Sequence, residues 1–191
     1  MAMTTTTEVD RASGLLGGDP APMRPPVADW LLAMGPVVHR LDYGGRVAAV
    51  GCGDPAATAL LATAYPLASL DAVDPDPPAV AATLAALERA GAASRCEVDV
   101  CGPDALRPRA YDLVCVLRGL GTLPDPIAHA RAALAAVRPD GAVMVVERSR
   151  TDAFDLGPVV IGGWLLEAGA SRVRVAAATP HGFVIDARPD H

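Results

Sequence analysis

The chain contains no lysine, no asparagine and no glutamine, and all 16 of its basic residues are arginine. This bias reads as the codon usage of a GC-rich genome. Only 4% of the residues are aromatic, so Ala, Val and Leu must build the core. The net charge of −6 argues against non-specific nucleic-acid binding, which needs basic surface. No apolar run reaches the roughly 18 residues of a membrane span. The N-terminus shows no charged-then-apolar signal pattern. A cytoplasmic protein is therefore expected, with no membrane partner. The four cysteines, Cys52, Cys96, Cys101 and Cys115, show no CxxC spacing and are expected to be reduced structural thiols. No His/Cys/Asp/Glu cluster has metal-ligand spacing, so no metal is expected. Ser149 and Ser171 lack a GxSxG context, which leaves hydrolase chemistry unsupported.

What is present suits one domain of 191 residues in which half the residues are hydrophobic. Residues 1–26 carry a Thr run and scattered Gly and Pro without periodicity, and read as a flexible arm. From Val27 a domain begins that runs to residue 191. Val27, Trp30, Leu31, Met34, Val37, Val38 and Leu41 recur at helical spacing, and Gly44-Gly45 stops that helix. RVAAVG (46–51) then predicts a buried strand. Asp54-Pro55 predicts a helix start, because Asp caps well and Pro suits the first helical position. Further strands are expected at 69–74, 95–100, 111–117, 142–147, 173–179 and 183–188. Helices are expected at 77–90, from Asp125-Pro126 to Val137, and around 158–168. Pro180-His181-Gly182 reads as a hairpin turn.

Strands alternating with helices imply an α/β, Rossmann-like three-layer sandwich. Its sheet should have seven strands, mostly parallel, with an antiparallel last strand. Ligands of such sheets sit beyond the carboxyl ends of the strands. Gly51-Cys52-Gly53 closes the first strand, where glycine lets the backbone turn tightly and approach a ligand. Asp74 closes the second strand, where a carboxylate can accept hydrogen bonds from the two hydroxyls of a ribose. Taken alone, the same residues also suit plain turn glycines and a helix-capping acid. The third glycine of a dinucleotide fingerprint is missing, which disfavours NAD.

The stretches RVAAVGCG, AVDPDPPAV, YDLVCVLRGLGTLPDP and ALAAVRPDGAVMVVE resemble, in order, the motifs of class I S-adenosylmethionine (SAM) methyltransferases. The nearest likeness is to a bacterial subgroup acting on small molecules. It extends through LLEAGASRVRVAAATPHGFVIDARP and covers about Val27 to Pro189. The resemblance implies SAM as cofactor and a small-molecule acceptor. It implies that Gly51, Cys52 and Gly53 hold the methionine end and that Asp74, followed by Pro75, binds the ribose. Asp99 and Val100 would flank the adenine, and Leu117 and Arg118 would lie beside the sulfonium.

The sequence departs from the family at several positions. The acid expected two residues before the first glycine is Ala49, and Pro55 stands where glycine is common. The D.LHD stretch reads Arg118-Gly119-Leu120-Gly121-Thr122, so an acid has become a cation and a histidine a glycine. Arg118 could reach solvent, pair with Asp74, Asp99 or a SAM carboxylate, or serve an anionic substrate. Only Arg148 to Gly157 occupy the place of the substrate-covering helices. An open site is therefore expected, unless residues 1–26, a second copy in a homodimer or a protein partner close it. His181, on the expected hairpin, and Arg118 are the candidate catalytic residues. Glu147 reads as a structural acid, and His39, His129 and His191 receive no role. Two functions remain open. One is SAM-dependent methylation of a small, secondary-metabolite-like acceptor. The other is a methyltransferase fold that has lost methyl transfer and serves as a biosynthetic cyclase or isomerase, or as a non-catalytic partner subunit.

Overall fold

A computed structural model describes residues 34–148, 156–179 and 182–190. The expected arm, the start of the first helix (Val27, Trp30, Leu31), His181 and His191 lie outside the described residues. Helices α1 (Pro36–Asp42), α2 (Pro55–Ala64), α3 (Pro77–Arg89), α4 (Pro126–Ala136) and α5 (Pro158–Glu167) accompany seven strands. These are β1 (Arg46–Val50), β2 (Ser69–Asp74), β3 (Cys96–Val100), β4 (Tyr111–Val116), β5 (Val137–Arg148), β6 (Ala170–Thr179) and β7 (Gly182–Pro189).

The sheet order is β3-β2-β1-β4-β5-β7-β6. Strands β1 to β5 pair in parallel, and β7 runs antiparallel to both β5 and β6. Period-two alternation divides the core between the two faces of this sheet. Val47, Ala49, Leu113, Cys115, Ala142 and Met144 face one cluster with Leu61 of α2 and Leu87 of α3. Ala48, Val50, Val114, Val116, Val143 and Val145 face the other with Ala133 of α4 and Ile161 and Leu165 of α5. Central strands covered on both sides carry no polar alternation, and β4 is buried at every position.

Helix starts follow the Asp-Pro signals. The Asp54 carboxylate accepts from Ala57 N–H at 3.2 Å and that of Asp125 from Ala128 N–H at 2.9 Å. Two boundaries differ from expectation. The continuous helix expected from Val27 is interrupted, since α1 begins only at Pro36 behind Gly35 at φ +60°. Proline there supplies no N–H and cannot continue a helix from before it. Strand β5, expected over 142–147, begins at Val137 and takes in Pro139-Asp140-Gly141. Val137 already pairs with Tyr111, and the register shifts before Ala142 pairs with Leu113. The amino-terminal edge is braced by ion pairs. Asp112, nearly inaccessible at the second position of β4, accepts from the backbone N–H of Arg46 at 2.9 Å. It also accepts from Arg138 Nη1 at 3.0 Å and lies 3.2 Å from Arg40 Nε.

Candidate functional site

The strand order reverses between β1 and β4, since β2 and β3 lie to one side of β1 and β4 and β5 to the other. Connections therefore leave in opposite directions there, and a crevice opens at the carboxyl edge. Gly51 follows β1 at φ +70°, a conformation that favours glycine, and its N–H donates to Val73 O at 2.9 Å. The glycine turn is thereby sewn to the end of β2. Asp74 completes the join. Its carboxylate, 1% exposed, accepts from Gly53 N–H at 3.1 Å through Oδ2 and from Asp76 N–H at 3.0 Å through Oδ1. Two backbone donors thus fix the direction of this buried carboxylate.

Arg118 follows β4 and reaches across this turn. Its Nη1 lies 3.5 Å from Asp74 Oδ2, and half of its side chain is exposed. A Cβ added to Gly51 would meet the Cβ, Cγ and Cδ atoms of Arg118 at 3.2–3.3 Å. One added to Gly53 would meet Arg118 Nη1 at 3.1 Å. The Arg118 side chain thus fills the space that the two glycines leave open. Arg118 meets the carboxylate of Asp74 while half of its side chain stays in solvent.

Beside this pair lies a cavity of about 60 Å³ lined by Gly51, Asp74, Pro75, Cys101, Arg118 and His129, among others. Gly51, Gly53, Asp74, Pro75 and Arg118 are thus brought to one edge. Cys52 and Leu117 contribute backbone only, because both side chains pack in the core beneath. Burial pushes the Cys52 thiol up from its ordinary range, which makes it a poor nucleophile. Asp99 and Val100 are exposed, and the next residues along, Cys101 and Pro103, form the cavity wall in their place.

Three further residues shape this edge. Thr83 of α3 donates its hydroxyl to Cys52 O at 2.7 Å, with both residues fully buried, and so ties the glycine turn to the helix behind it. His129 of α4 lines the cavity, with Nδ1 2.7 Å from Asp125 O. A carbonyl can only accept, so Nδ1 carries the proton of that contact and Nε2 is the acceptor of the neutral ring. Sequence reasoning gave His129 no role; its only signal was its place in the first turns of the helix after β4. Glu147 is buried under the Gly119–Thr122 turn, where Oε1 accepts from Gly121 N–H at 3.1 Å. Burial pushes its carboxyl above the usual range, and donors at Gly121 and Leu120 partly offset that. Gly119, at φ +79°, leaves no room for a Cβ against the Glu147 carboxylate. Glu147 is therefore the brace of this turn.

Among the described residues no cluster of three or more His, Cys, Asp or Glu could hold a metal, and no helix is long and apolar enough to cross a membrane. All four cysteines are free thiols.

The fold is shared with solved structures. A SAM-dependent methyltransferase from Aquifex aeolicus superposes with a TM-score of 0.66 at 17% identity, over 82% of this chain and 90% of that one. An O-methyltransferase of neocarzinostatin biosynthesis, solved with SAM and 2-hydroxy-5-methyl naphthoic acid, gives 0.61 at 20%, over 77% of this chain and 49% of that one. The cyclase SpnF gives 0.65 at 14%, over 90% and 84%. At such identities the likeness is one of fold. No curated protein sequence matches the chain. The family model described as "Methyltransferase domain" matches residues 48–143, which run from β1 through the first half of β5 and include Gly51, Asp74 and Arg118. That match spans half of the sequence, and the chain belongs to the methyltransferase-domain family.

Proposed function

We propose that this protein transfers a methyl group from SAM to a small-molecule acceptor, with SAM held at the carboxyl edge around Gly51, Gly53 and Asp74. The observation that carries the reading is Asp74, a buried carboxylate bonded through Oδ2 to the N–H of Gly53 across the switch-point crevice. The family match supports it, as does the likeness to a biosynthetic O-methyltransferase solved with SAM.

The fit of SAM depends on Arg118. Asp74 Oδ1 accepts from Asp76 N–H and retains acceptor capacity for a ribose hydroxyl. The cavity of about 60 Å³ falls short of the roughly 300 Å³ or more that ligands of nucleoside size occupy. Part of that space is occupied by the half-exposed Arg118 side chain in its 3.5 Å ion pair. Because Asp74 is buried, releasing Arg118 from it costs more than the roughly 1 kcal/mol of an exposed pair, and contacts with the bound ligand must offset that. Asp74 meanwhile keeps its bonds to Gly53 and Asp76. The residues therefore accommodate the cofactor once Arg118 turns outward.

In that arrangement Asp74 would orient the ribose, the Gly51–Gly53 backbone would let the tail approach closely, and Pro75, Cys101 and Pro103 would wall the base. SAM supplies an activated methyl group on its sulfonium. The protein's share of the chemistry is then chiefly alignment of acceptor and donor. A hydroxyl acceptor also needs a base. His129 lines the cavity and offers Nε2 as the acceptor of its neutral ring, and His181 is the imidazole expected on the hairpin.

A second reading is favoured by the Arg118 contacts over Gly51 and Gly53: a methyltransferase fold serving a non-methylating biosynthetic reaction, or a partner subunit. The similarity in fold to SpnF, a cyclase, is compatible with it. Titration calorimetry with SAM and S-adenosylhomocysteine separates the two. Binding of both, followed by mass-spectrometric detection of a methylated product from a panel of phenolic and amino acceptors, is the expected result. Absence of heat from either nucleoside at millimolar concentration would remove the first reading, and methylated product would end the second.

A further inference from the structure

We infer that Arg118 sets the charge selectivity of this edge, so that it accepts a nucleoside whose tail carries a neutral thioether sulfur in preference to the same nucleoside carrying a sulfonium. The inference rests on the cofactor reading above and deepens it, because SAM and S-adenosylhomocysteine differ by one methyl group and one positive charge.

The geometry points to this through the place Arg118 occupies. In both ligands the sulfur is bonded to C5′ of the ribose. A ribose on Asp74, with its tail passing over Gly51 and Gly53, brings the sulfur into the space that now holds Arg118 from Cβ to Nη1. The guanidinium is the positive charge paired with Asp74. The groups around it offer a ligand cation little compensation. Asp74 is already shared among Gly53, Asp76 and Arg118. Ala49 is fully buried in the core and carries no charge. Glu147 is buried behind Gly119, bonded to the turn at Gly121.

A sulfonium therefore meets two unfavourable choices. It can displace Arg118, which forfeits the pair with Asp74 and the packing of the methylenes on Gly51. Or it can bind beside the guanidinium and be repelled. A neutral thioether must move the Arg118 side chain as well, but it is not repelled by the guanidinium, and its sulfur packs readily on an aliphatic stem. Two like charges about 4 Å apart in a partly aqueous site correspond to about three powers of ten in affinity. Arg118 is half exposed, and screening reduces this to roughly 10- to 100-fold. The chemical consequence is retention of the demethylated nucleoside: after each methyl transfer, the product that loses the charge is the form the site prefers.

The experiment is calorimetry of SAM and S-adenosylhomocysteine with the wild-type protein, R118M and R118K, at low and high salt. Met keeps an unbranched stem over Gly51 and removes the charge; Lys keeps the charge. The wild type should favour S-adenosylhomocysteine. That preference should fall by about tenfold or more in R118M, persist in R118K, and shrink with salt in the wild type. R118A provides the same comparison without the stem, and far-UV circular dichroism verifies that each variant is folded. Binding of both ligands with an unchanged preference in R118M and R118A would overturn the inference and leave the cofactor reading standing. Absence of heat from both ligands in all four proteins would remove the cofactor reading itself, and this inference with it.

Discussion

The hydroxyl of Thr83 offers a sharp test of how the glycine turn is held. It donates to Cys52 O at 2.7 Å, and neither residue is accessible to solvent. Thr83→Val removes the donor with almost no change of shape and leaves a buried carbonyl without that partner. Such a loss costs about 1–3 kcal/mol. For a domain of this size each kcal/mol lowers Tm by about 2–4 °C, so a cost near the middle of that range lowers it by about 4–8 °C. Thr83→Ser retains the hydroxyl and loses only a buried methyl, at about 0.8 kcal/mol. Thermal unfolding followed by circular dichroism, with urea titrations to check that m is unchanged, measures both variants. The valine variant should also bind S-adenosylhomocysteine more weakly than the serine variant, because the turn that approaches the ligand has lost its tie to α3. The reasoning is refuted if the valine variant is as stable as the wild type, or if serine proves the worse of the two.

Two further outcomes follow from buried carboxylates at opposite edges of the sheet. Asp112→Asn puts an amide where the backbone N–H of Arg46 and the guanidinium of Arg138 both donate and the charge of Arg40 lies close. Removing one partner of a buried ionic cluster costs about 3–5 kcal/mol, and re-solvation of the half-exposed arginines should reduce this to about 2–3 kcal/mol. Urea midpoints should show that loss while nucleoside affinity stays unchanged, since the cluster lies at the edge away from the cavity. Glu147 has a carboxyl raised by burial, so the folded state binds its proton more tightly than the unfolded chain. Its contribution to stability is therefore greatest in acid and declines as pH rises from the ordinary carboxylate range through the raised value. Glu147→Gln removes this dependence, and the stability difference between wild type and variant should move in favour of the variant as pH rises across that window. Chemical denaturation at several pH values measures it, and parallel pH profiles would contradict the assignment.

The layered α/β scaffold was legible in the chain because its signals are local. An Asp-Pro pair caps a helix through its own carboxylate, as at Asp54 and Asp125, whatever lies around it. Apolar runs such as the one over 111–117 mark strands covered on both faces. The glycines and Asp74 could be placed at one edge because strand polarity alone sends each strand's end there. Residues whose role depends on side-chain direction were harder to read. Cys52 and Leu117 stand within the motifs yet turn into the core, while Cys101, Pro103 and His129 stand outside them and form the cavity wall. Thr83 carried no signal, since its partner is a carbonyl on another element. The early start of β5 was hidden by Pro139-Asp140-Gly141, which spell a turn but sit in a register shift within the strand.

By itself, then, the sequence determined the elements, their order and the edge at which chemistry can occur, because short-range caps, hydrophobic periodicity and strand polarity are properties of neighbouring residues. Only the tertiary structure decided what occupies that edge. Parallel pairing of β1 with both β2 and β4 sets the distance between Asp74 and Arg118, and with it the ion pair that lies across the glycines. A charge meets its partner through space, and that distance is fixed by the sheet, not by spacing along the chain.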